Sequence, residues 1–529
     1  MPDIPVIQRT TVKCLKEDAS ADHPVPECHD LRRRDSAGRT IHGASEVKSM
    51  VVRDYWQERL RSVGNRIPQV QTFAAFNTNI DAIVYLTPEL LSHAIKESDT
   101  NLALAEHQTS GELPDSVKSP ADFLRVIRSQ LAEGKSCHMV VEQDVLPWIS
   151  QVFCDCTERM GGQAGIIANQ MAALQATSVV YTRLLPPEQA RLFDQRVTMP
   201  TVLNDELSLL PIQDVARSDD EVKVNWIFEY PKDATYQFGS QRITTTRANR
   251  VIMATRPRGA VIAFSRELDR HLPSLGRMID VAFMAGYHYA NPDDNDGRDF
   301  HSYLEYIRQS LSDLTRLNPD LRIHYEYVPL RHEELESDLL RCVCQQVNSF
   351  GINENEIRRA LRKLGREQLA DDIEASERAY TLYRGALALL RELRLDRVHL
   401  HNLGYYVIVL RKPYFVSVDD VIGASLYASA LNALKAMHGG FPDANAMPAG
   451  AELALSEIGF AQLEQFSREM TGKARQTGPG VWEQDDHCVL VTPAHVVANP
   501  VSTVGMGDTI SSASYAMEVC AARQMSRVP

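Results

Sequence analysis

The sequence predicts an α/β protein in which a doubly wound, mostly parallel sheet is flanked by helices and accompanied by a smaller α/β lid domain. Three observations lead to this prediction. Short runs rich in β-branched and aromatic residues alternate with helical patterns along much of the chain. Polar or glycine-rich segments follow some of these runs, as they do at the carboxyl ends of sheet strands. Two long stretches interrupt the alternation, which indicates excursions into a second domain.

The individual elements follow in order. The apolar run 70–76 ends in the polar segment 77–81, the pattern of a buried strand that delivers a loop at its carboxyl end. Glycines within 161–165 then open an apolar helix. Further strand-like runs cover 178–181, 281–286, 322–327, 397–401 and 488–491, and helical patterns cover 301–317 and 374–393.

The interruptions set the predicted domain boundaries. An aperiodic start with several prolines predicts a poorly ordered leader over 1–45. The large core domain is expected to comprise 46–81, 158–204 and 261–529. The lid domain is expected to comprise 82–157 and 205–260, where the strand-like runs 222–230 and 241–246 lie.

Composition excludes several classes of protein. Of the 529 residues, 44% are hydrophobic and 24% are charged, as in ordinary globular proteins. A formal net charge of -13 argues against nonspecific nucleic-acid binding, which needs a basic surface. Residues 1–20 contain no apolar run of the length of a signal-peptide core, and nowhere does an apolar run reach the length of a membrane span. A cytoplasmic protein with neither nucleic-acid nor membrane partners is therefore expected.

A glycine turn near the carboxyl end carries the strongest chemical signal. Gly505, Met506, Gly507 and Asp508 precede a helix of small residues. Backbone N–H groups of such a turn, together with the positive end of the helix dipole, form an anion hole. Asp508 would then stand close enough to a phosphoryl group to accept the proton of an attacking hydroxyl. An ordinary helix start with an acidic first turn is the alternative interpretation of these four residues.

Two upstream segments contain candidate ligands of a sugar. Asn77, Asn79 and Asp81 offer hydrogen-bond donors and acceptors of the kind that vicinal hydroxyls require. Gly161 and Gly162 allow a close backbone approach, and Gln163 offers both a donor and an acceptor. Turn formation by the Asn and Asp residues, and a tight strand-to-helix turn at the glycines, are the alternatives that need no ligand.

Carboxylates predict a site for a divalent cation. Magnesium prefers oxygen ligands and keeps several waters, so Glu326 and Glu356, with Asp508, would suffice to hold it against nucleotide phosphates. Solvated carboxylates at element ends are the alternative. Near 399–406, the aromatic residues fit either base stacking or core packing, and the His pair lacks a third zinc ligand.

These motifs together resemble the ADP-dependent glucokinase and phosphofructokinase family of the ribokinase-like superfamily. The resemblance covers about 54–513 and is carried, in family order, by 77–81, 159–165, 225–230, 247–250, 324–326, 353–356, 399–406 and 503–509. It implies a ribokinase-like fold and an ADP-dependent sugar kinase that uses magnesium or another divalent cation. It further implies that Arg250 clamps the transferred phosphoryl group and that Asn353, His401, Tyr405 and Val504 bind the nucleotide.

The acceptor stays open between glucose and fructose 6-phosphate. His138 lies where glucose-using members of the family tend to carry Glu, which weakens the glucose assignment. Arg183, Arg256 and Arg258 add positive charge of the kind that a phosphorylated sugar favours. An ATP-dependent ribokinase-type sugar or nucleoside kinase, and an inactive sugar or nucleotide sensor on the same fold, are the alternative functions. The sequence leaves the oligomeric state undetermined.

Overall fold

The structure is a computed structural model that describes residues 43–98 and 113–526. The chain divides into two units, Met1–Arg53 and Asp54–Pro529. The described part of the first unit is the beginning of the helix Gly43–Val63. The predicted leader, apart from 43–45, lies outside the described residues. All that follows concerns the second unit.

The strands are numbered in chain order. They are β1 (Gln71–Phe76), β2 (Asn79–Tyr85), β3 (Ser116–Val117), β4 (Cys137–Val141), β5 (Thr157–Gly161), β6 (Thr177–Tyr181), β7 (Thr198–Leu203), β8 (Glu206–Pro211), β9 (Val224–Tyr230), β10 (Thr235–Phe238), β11 (Gln241–Thr244), β12 (Asn249–Thr255), β13 (Val281–Ala285), β14 (Arg322–Glu326), β15 (Ser349–Asn353), β16 (Arg397–Asn402), β17 (Tyr405–Arg411), β18 (Arg475–Gly478), β19 (Val481–Glu483) and β20 (His487–Pro493).

Helices fill most of the connections. Beyond the helix of the first unit they span Pro88–Glu97, Pro120–Glu133, Leu146–Val152, Gln163–Ala173, Pro187–Ala190, Arg266–Asp269, Leu272–Arg277, Phe300–Thr315, Glu336–Cys344, Glu354–Lys363, Glu367–Ala375, Ala379–Glu392, Val418–His438, Met447–Ala451, Glu457–Met470 and Met506–Ser526. The single helix predicted over 374–393 is wrong in its start. One helix ends at Ala375 and the next begins at Ala379, where the backbone N–H of Arg378 donates to Thr381 Oγ1 at 3.3 Å.

The larger sheet is twelve-stranded, in the order β18-β19-β20-β17-β16-β15-β14-β13-β1-β6-β7-β8. Neighbouring strands from β16 to β7 pair in parallel, and the flanking strands pair antiparallel. The chain leaves β1, adds β6 and β7 on one side, and returns to add β13 on the other. The prediction of a doubly wound, mostly parallel sheet is thereby confirmed, with its switch point beside β1.

The smaller sheet is six-stranded, in the order β3-β4-β12-β9-β2-β5. Strand pairing moves the predicted domain boundaries in three places. Residues 79–81 of β2, placed in the core and interpreted as a loop, pair with β9 and β5 of the smaller sheet. β5, of which 158–161 were placed in the core, belongs to this sheet as well. β8, placed in the lid, pairs with β7 of the larger sheet. Backbone hydrogen bonds to partners distant in sequence decide these memberships, and local patterns do not report them.

Two apolar cores correspond to the two sheets. In the larger core, the helix Gln163–Ala173 packs on β1 and β6, and the helix Met506–Ser526 packs on β13 to β16. Aromatic rings of Phe123, Phe153 and Phe228 fill the smaller core, with neighbouring centroids 4.9 to 5.4 Å apart. Among the described residues, no helix is both long and apolar enough to cross a membrane.

Candidate active site

The connection between the two sheets is short and polar. β1 of the larger sheet ends at Phe76 and β2 of the smaller sheet begins at Asn79, so only Asn77 and Thr78 join them. The Asn77 Oδ1 atom accepts a hydrogen bond from the buried Lys223 Nζ at 2.7 Å. Thr78 donates to Thr182 Oγ1 at 2.7 Å. The predicted sugar ligand Asn77 therefore sits at the switch point of the larger sheet, where ligands of such folds bind.

Asn79 and Asp81 extend this polar site along β2. Asn79 Nδ2 and Asn225 Nδ2 donate to Asp81 Oδ1 at 2.7 and 3.3 Å. Burial raises the pKa of Asp81 to about 6, although these amides and the positive charge of Arg250 oppose the rise. The Oδ1 atoms of both Asn residues are buried without a protein partner among the described residues. They are free to accept hydrogen bonds from ligand hydroxyls.

The predicted glycines serve this polar cluster in a way that the sequence did not show. A Cβ on Gly161 would lie 2.3 Å from Asp81 Oδ1 and 2.4 Å from Asn79 Nδ2. Gly162 has a φ of +74°, and its Cβ would lie 2.5 Å from the Asn77 carbonyl oxygen. Both glycines thus make room for the protein's own Asn and Asp groups.

A cavity of about 700 Å³ lies next to Asn77 and has a basic wall. Its lining includes Lys223, Arg256, Arg258, Arg331 and His138. The acidic residues that also line it, Asp115, Glu142 and Asp294, are exposed, whereas Lys223 is 5% exposed. Charge at the buried end of the cavity is therefore positive.

Two of these positively charged side chains pack against the Tyr289 ring. Lys223 Nζ lies 4.5 Å and the Arg256 guanidinium carbon 4.4 Å from its centroid. Burial, with repulsion from Arg256, lowers the pKa of Lys223 to about 7. An anion placed here would reverse that shift. Sequence reasoning missed Lys223 and Tyr289. Arg183, expected near the sugar loop, donates to Phe264 O at 2.9 Å and lines a small neighbouring cavity with Thr78 and Lys223 rather than this one.

The glycine turn precedes the helix Met506–Ser526, as predicted. Gly505 has a φ of +65°, and a Cβ there would lie 2.6 Å from Ile166 Cδ1. Asp508 stands in the first helical turn. Burial and repulsion from Glu326 raise its pKa to about 7, while Lys435 and a hydrogen bond from Gln163 oppose the rise. Gln163, predicted to bind sugar, thus contacts Asp508 itself.

Glu326 lies at the carboxyl end of β14, beside the turn. It accepts from the ring of His324, with Nε2 and Oε2 3.0 Å apart. Burial raises the pKa of Glu326 to about 8. A Cβ on Gly351 would lie only 2.1 Å from Glu326 Oε2, so the neighbouring strand leaves no room for any larger residue. A Cβ on Gly507 would lie 3.6 Å from Glu326 Oε1 and 3.0 Å from His401 Nε2.

Asn353 and Glu356 form a capping box at the start of the helix Glu354–Lys363. The backbone N–H of Asn353 donates to Glu356 Oε2, and that of Glu356 donates to Asn353 Oδ1, each at 2.9 Å. Burial raises the pKa of Glu356 to about 8, with repulsion from Glu326 and Asp508 adding to the effect. The predicted nucleotide ligand Asn353 therefore has its side-chain oxygen committed to the helix start.

Three further predicted residues lie near this site. Arg250, on β12 opposite Glu229, is close enough to Asp81 to lower its pKa. His401 lies against Gly507, and its Nδ1 is buried without a partner among the described residues. Tyr405 is 3% exposed and its hydroxyl accepts from Asn402 at 3.1 Å, which leaves little ring surface for a base. Within the described chain, no three His, Cys, Asp or Glu residues are grouped to hold a metal by themselves.

Comparison with known proteins identifies this arrangement. The model of the ADP-specific phosphofructokinase/glucokinase conserved region matches residues 70–517. The chain belongs to this family. The predicted family, fold and activity, those of an ADP-dependent sugar kinase, are thereby confirmed.

Its relatives in the family include enzymes with different acceptors. The chain is 32% identical over 458 residues to the ADP-specific phosphofructokinase of Methanosarcina acetivorans, covering 84% of this chain and 92% of the relative. It is 28% identical to the ADP-dependent glucose/glucosamine kinase of Pyrococcus abyssi, covering 88% and 97% of the two chains. An ADP-dependent kinase solved in complex with fructose-6-phosphate and ADPβS superposes with a TM-score of 0.72 at 30% identity, covering 90% and 98%.

Proposed function

We propose that this kinase phosphorylates a hexose phosphate, fructose 6-phosphate, rather than glucose. The observation that carries this choice is the basic end of the cavity, where Lys223 joins Asn77 to the Tyr289–Arg256 stack. A phosphate dianion would give Lys223 and Arg256 charge-assisted hydrogen bonds. Neutral glucose would bring no negative charge to Lys223 and Arg256, so the repulsion between these two side chains would stay uncompensated.

The acceptor then spans the polar site in a defined direction. Its phosphate contacts Lys223 and Arg256, and its hydroxyls contact Asn77, Asn79 and Asp81. The buried, unpaired Oδ1 atoms of Asn79 and Asn225 support this arrangement, since each can accept a hydroxyl proton. The hydroxyl at the far end of the sugar is directed toward Asp508 and the glycine turn.

Asp508 acts as the general base. Its carboxylate accepts the proton of the attacking hydroxyl, and the backbone N–H groups of Gly505, Met506, Gly507 and Asp508 stabilise the transferred group. A pKa near 7 suits this role, because about half of the carboxylate is then ionised at neutral pH, and the ionised form is basic enough to accept a proton. Gln163, which donates to Asp508, orients the carboxylate.

Three carboxylates near the glycine turn fit a magnesium ion. Glu326 and Asp508 raise the pKa of Glu356, and Glu326 raises the pKa of Asp508, so a divalent cation among them would relieve that repulsion. When bound, magnesium neutralises charge on the nucleotide phosphates. The protein supplies few carboxylates and no complete cage, which leaves coordination sites for phosphate oxygens and water.

The nucleotide and the smaller sheet complete the site. His401 and Val504 lie beside the turn and Asn353 beside Glu356, so the nucleotide phosphates pass between these residues, while Tyr405 supports them from the core. The smaller sheet acts as a lid that brings Arg250 onto the transferred phosphoryl group and excludes water. That role for Arg250 is supported by its influence on Asp81.

A panel of acceptors and donors tests the proposed acceptor. In coupled assays with ADP or ATP against fructose 6-phosphate, glucose and glucosamine, kcat/KM should be highest for ADP with fructose 6-phosphate. The advantage over glucose should be at least about 100-fold, because losing the two charge-assisted contacts costs roughly 3 kcal/mol. A preference for glucose would refute the acceptor assignment, and a preference for ATP would refute the donor.

The pH profile tests the base. With magnesium saturating, kcat/KM for fructose 6-phosphate should fall about tenfold per pH unit below a midpoint at or below 7, because only the ionised carboxylate accepts a proton and a bound cation would lower the pKa of Asp508 from its metal-free value of about 7. A profile that stays flat down to about pH 5 would contradict the assignment. Circular dichroism over the same pH range checks that unfolding does not produce the acid limb.

A further inference from the structure

We propose that Ser349, held in one hydrogen-bonding role by the buried Arg397, fixes the tautomer of His324 and thereby positions Glu326. The inference rests on the proposed role of Glu326 in holding the cation of the nucleotide. Ser349 and Arg397 lie outside every motif that the sequence singled out, and neither contacts a substrate; both are positioning residues.

Arg397 is the starting point of the network. It lies at the beginning of β16 with no exposed surface. Its guanidinium pairs with Glu518 Oε1 at 2.9 Å and donates to the hydroxyls of Ser349 at 2.9 Å and Ser514 at 2.8 Å. The Tyr515 ring packs against it, with a centroid 5.1 Å away. A buried guanidinium with a carboxylate partner stays charged, and it donates hydrogen bonds without accepting any.

The hydroxyl proton of Ser349 therefore has one possible acceptor. Its oxygen accepts from Arg397, and its other polar neighbour is His324 Nδ1 at 2.9 Å. If Nδ1 carried the ring proton, Ser349 would receive two donors and its hydroxyl proton would have no acceptor in a fully buried place. If the hydroxyl donates to Nδ1, every one of these groups is satisfied. The geometry thus selects the second arrangement.

The hydrogen bond from Ser349 determines which ring nitrogen of His324 carries the proton. A nitrogen that accepts a hydrogen bond carries no proton, so the ring proton of His324 is on its other nitrogen. With Nδ1 accepting from Ser349, that proton is on Nε2, 3.0 Å from Glu326 Oε2. A donor that holds the carboxylate from within the fold leaves its other lone pairs available to a cation.

The chain offers a matched pair of variants. Ser349→Ala removes the donor to His324, whereas Ser514→Ala removes an equally buried hydroxyl that accepts from the same guanidinium but does not touch His324. Both substitutions delete one oxygen next to Arg397, so they should lower thermal stability by similar amounts. They should differ in metal-dependent nucleotide binding.

Calorimetric titration of the whole enzyme with ADP, in excess magnesium and separately in EDTA, measures that difference. Ser349→Ala should weaken binding in magnesium roughly 10- to 100-fold, the usual effect of removing a residue that orients a metal ligand, and leave binding in EDTA within about threefold. Ser514→Ala should match the wild type in both conditions.

Glu326→Gln tests the cation assignment of Glu326 separately from the positioning role of Ser349. If it weakens binding in magnesium while Ser349→Ala behaves like Ser514→Ala, the inference is overturned and the proposed function stands. If Glu326→Gln has no effect, the cation assignment fails, and the inference fails with it.

Nitrogen-15 spectra of histidine-labelled wild-type enzyme give a readout that needs no active variant. The His324 signals, identified by their absence in His324→Gln, should show a protonated Nε2 and an unprotonated Nδ1. A protonated Nδ1 in the folded wild type would overturn the proposal even if Ser349→Ala did not fold.

Discussion

Asp508→Asn should lower kcat by roughly 10²- to 10⁴-fold, the contribution of a positioned general base to proton transfer. The KM for fructose 6-phosphate should change little, because the sugar is held by Asn77, Asp81 and the basic cavity rather than by Asp508. Steady-state kinetics with ADP and saturating magnesium measure both constants. A kcat within about tenfold of the wild type would exclude Asp508 as the base.

Stability provides the internal control for this variant. The pKa of Asp508 rises from 3.8 to about 7 on folding, so the folded chain keeps a proton that the unfolded chain has lost, and ionisation destabilises the fold as the pH rises through that interval. The uncharged amide should therefore give a Tm at pH 8 at or above that of the wild type, with the difference narrowing as the pH is lowered. Asp419→Asn, in the exposed first turn of the helix Val418–His438, should leave kcat unchanged.

Lys223→Met should raise the KM for fructose 6-phosphate roughly 10- to 100-fold, as expected from losing a charge-assisted hydrogen bond worth about 1.5 to 3 kcal/mol. The substitution keeps the apolar stem against Tyr289 and removes only the ammonium group. Because the chemistry at Asp508 is not touched, kcat should fall much less than kcat/KM. Initial rates over a wide range of sugar concentrations resolve the two constants.

Arg183→Ala is the matched control for Lys223→Met. Arg183 also carries a positive charge near the sheet edge, but it bonds Phe264 O and Asp296 and does not line the cavity. Its removal should leave the KM for fructose 6-phosphate within about twofold and act on stability instead. Equal effects of the two variants would show that general positive charge, and not a phosphate site, attracts the acceptor.

The sequence predicted those features that local pattern determines. The strands β13, β14, β16 and β20 appear as short β-rich runs, since strands that are buried on both faces of the larger sheet are apolar along most of their length. The glycine turn was recognisable because a positive φ at Gly505 and an acid one helical turn away have a local signature.

Features set by distant contacts were missed for physical reasons. Lys223 resembles any polar residue before a strand, and only the fold brings its ammonium group to Asn77, 146 positions away in sequence. Gly161 appeared to serve a ligand because the sequence does not show that Asp81 fills the space beside it. Ser349 carries no local signal, as its importance depends on Arg397 and His324 meeting it across three strands.

The joint formed by Asn77 and Thr78 has a thermodynamic consequence. The joint is only two residues long and has candidate ligands on both sides. Asn77 follows the end of β1, and Asn79 and Asp81 lie on β2. An acceptor that forms hydrogen bonds on both sides of this joint fixes the angle between the two sheets. A water molecule does not bridge the two sides and therefore does not fix that angle. We therefore expect sugar binding to promote assembly of the transfer site, so that ADP is cleaved only when an acceptor is bound.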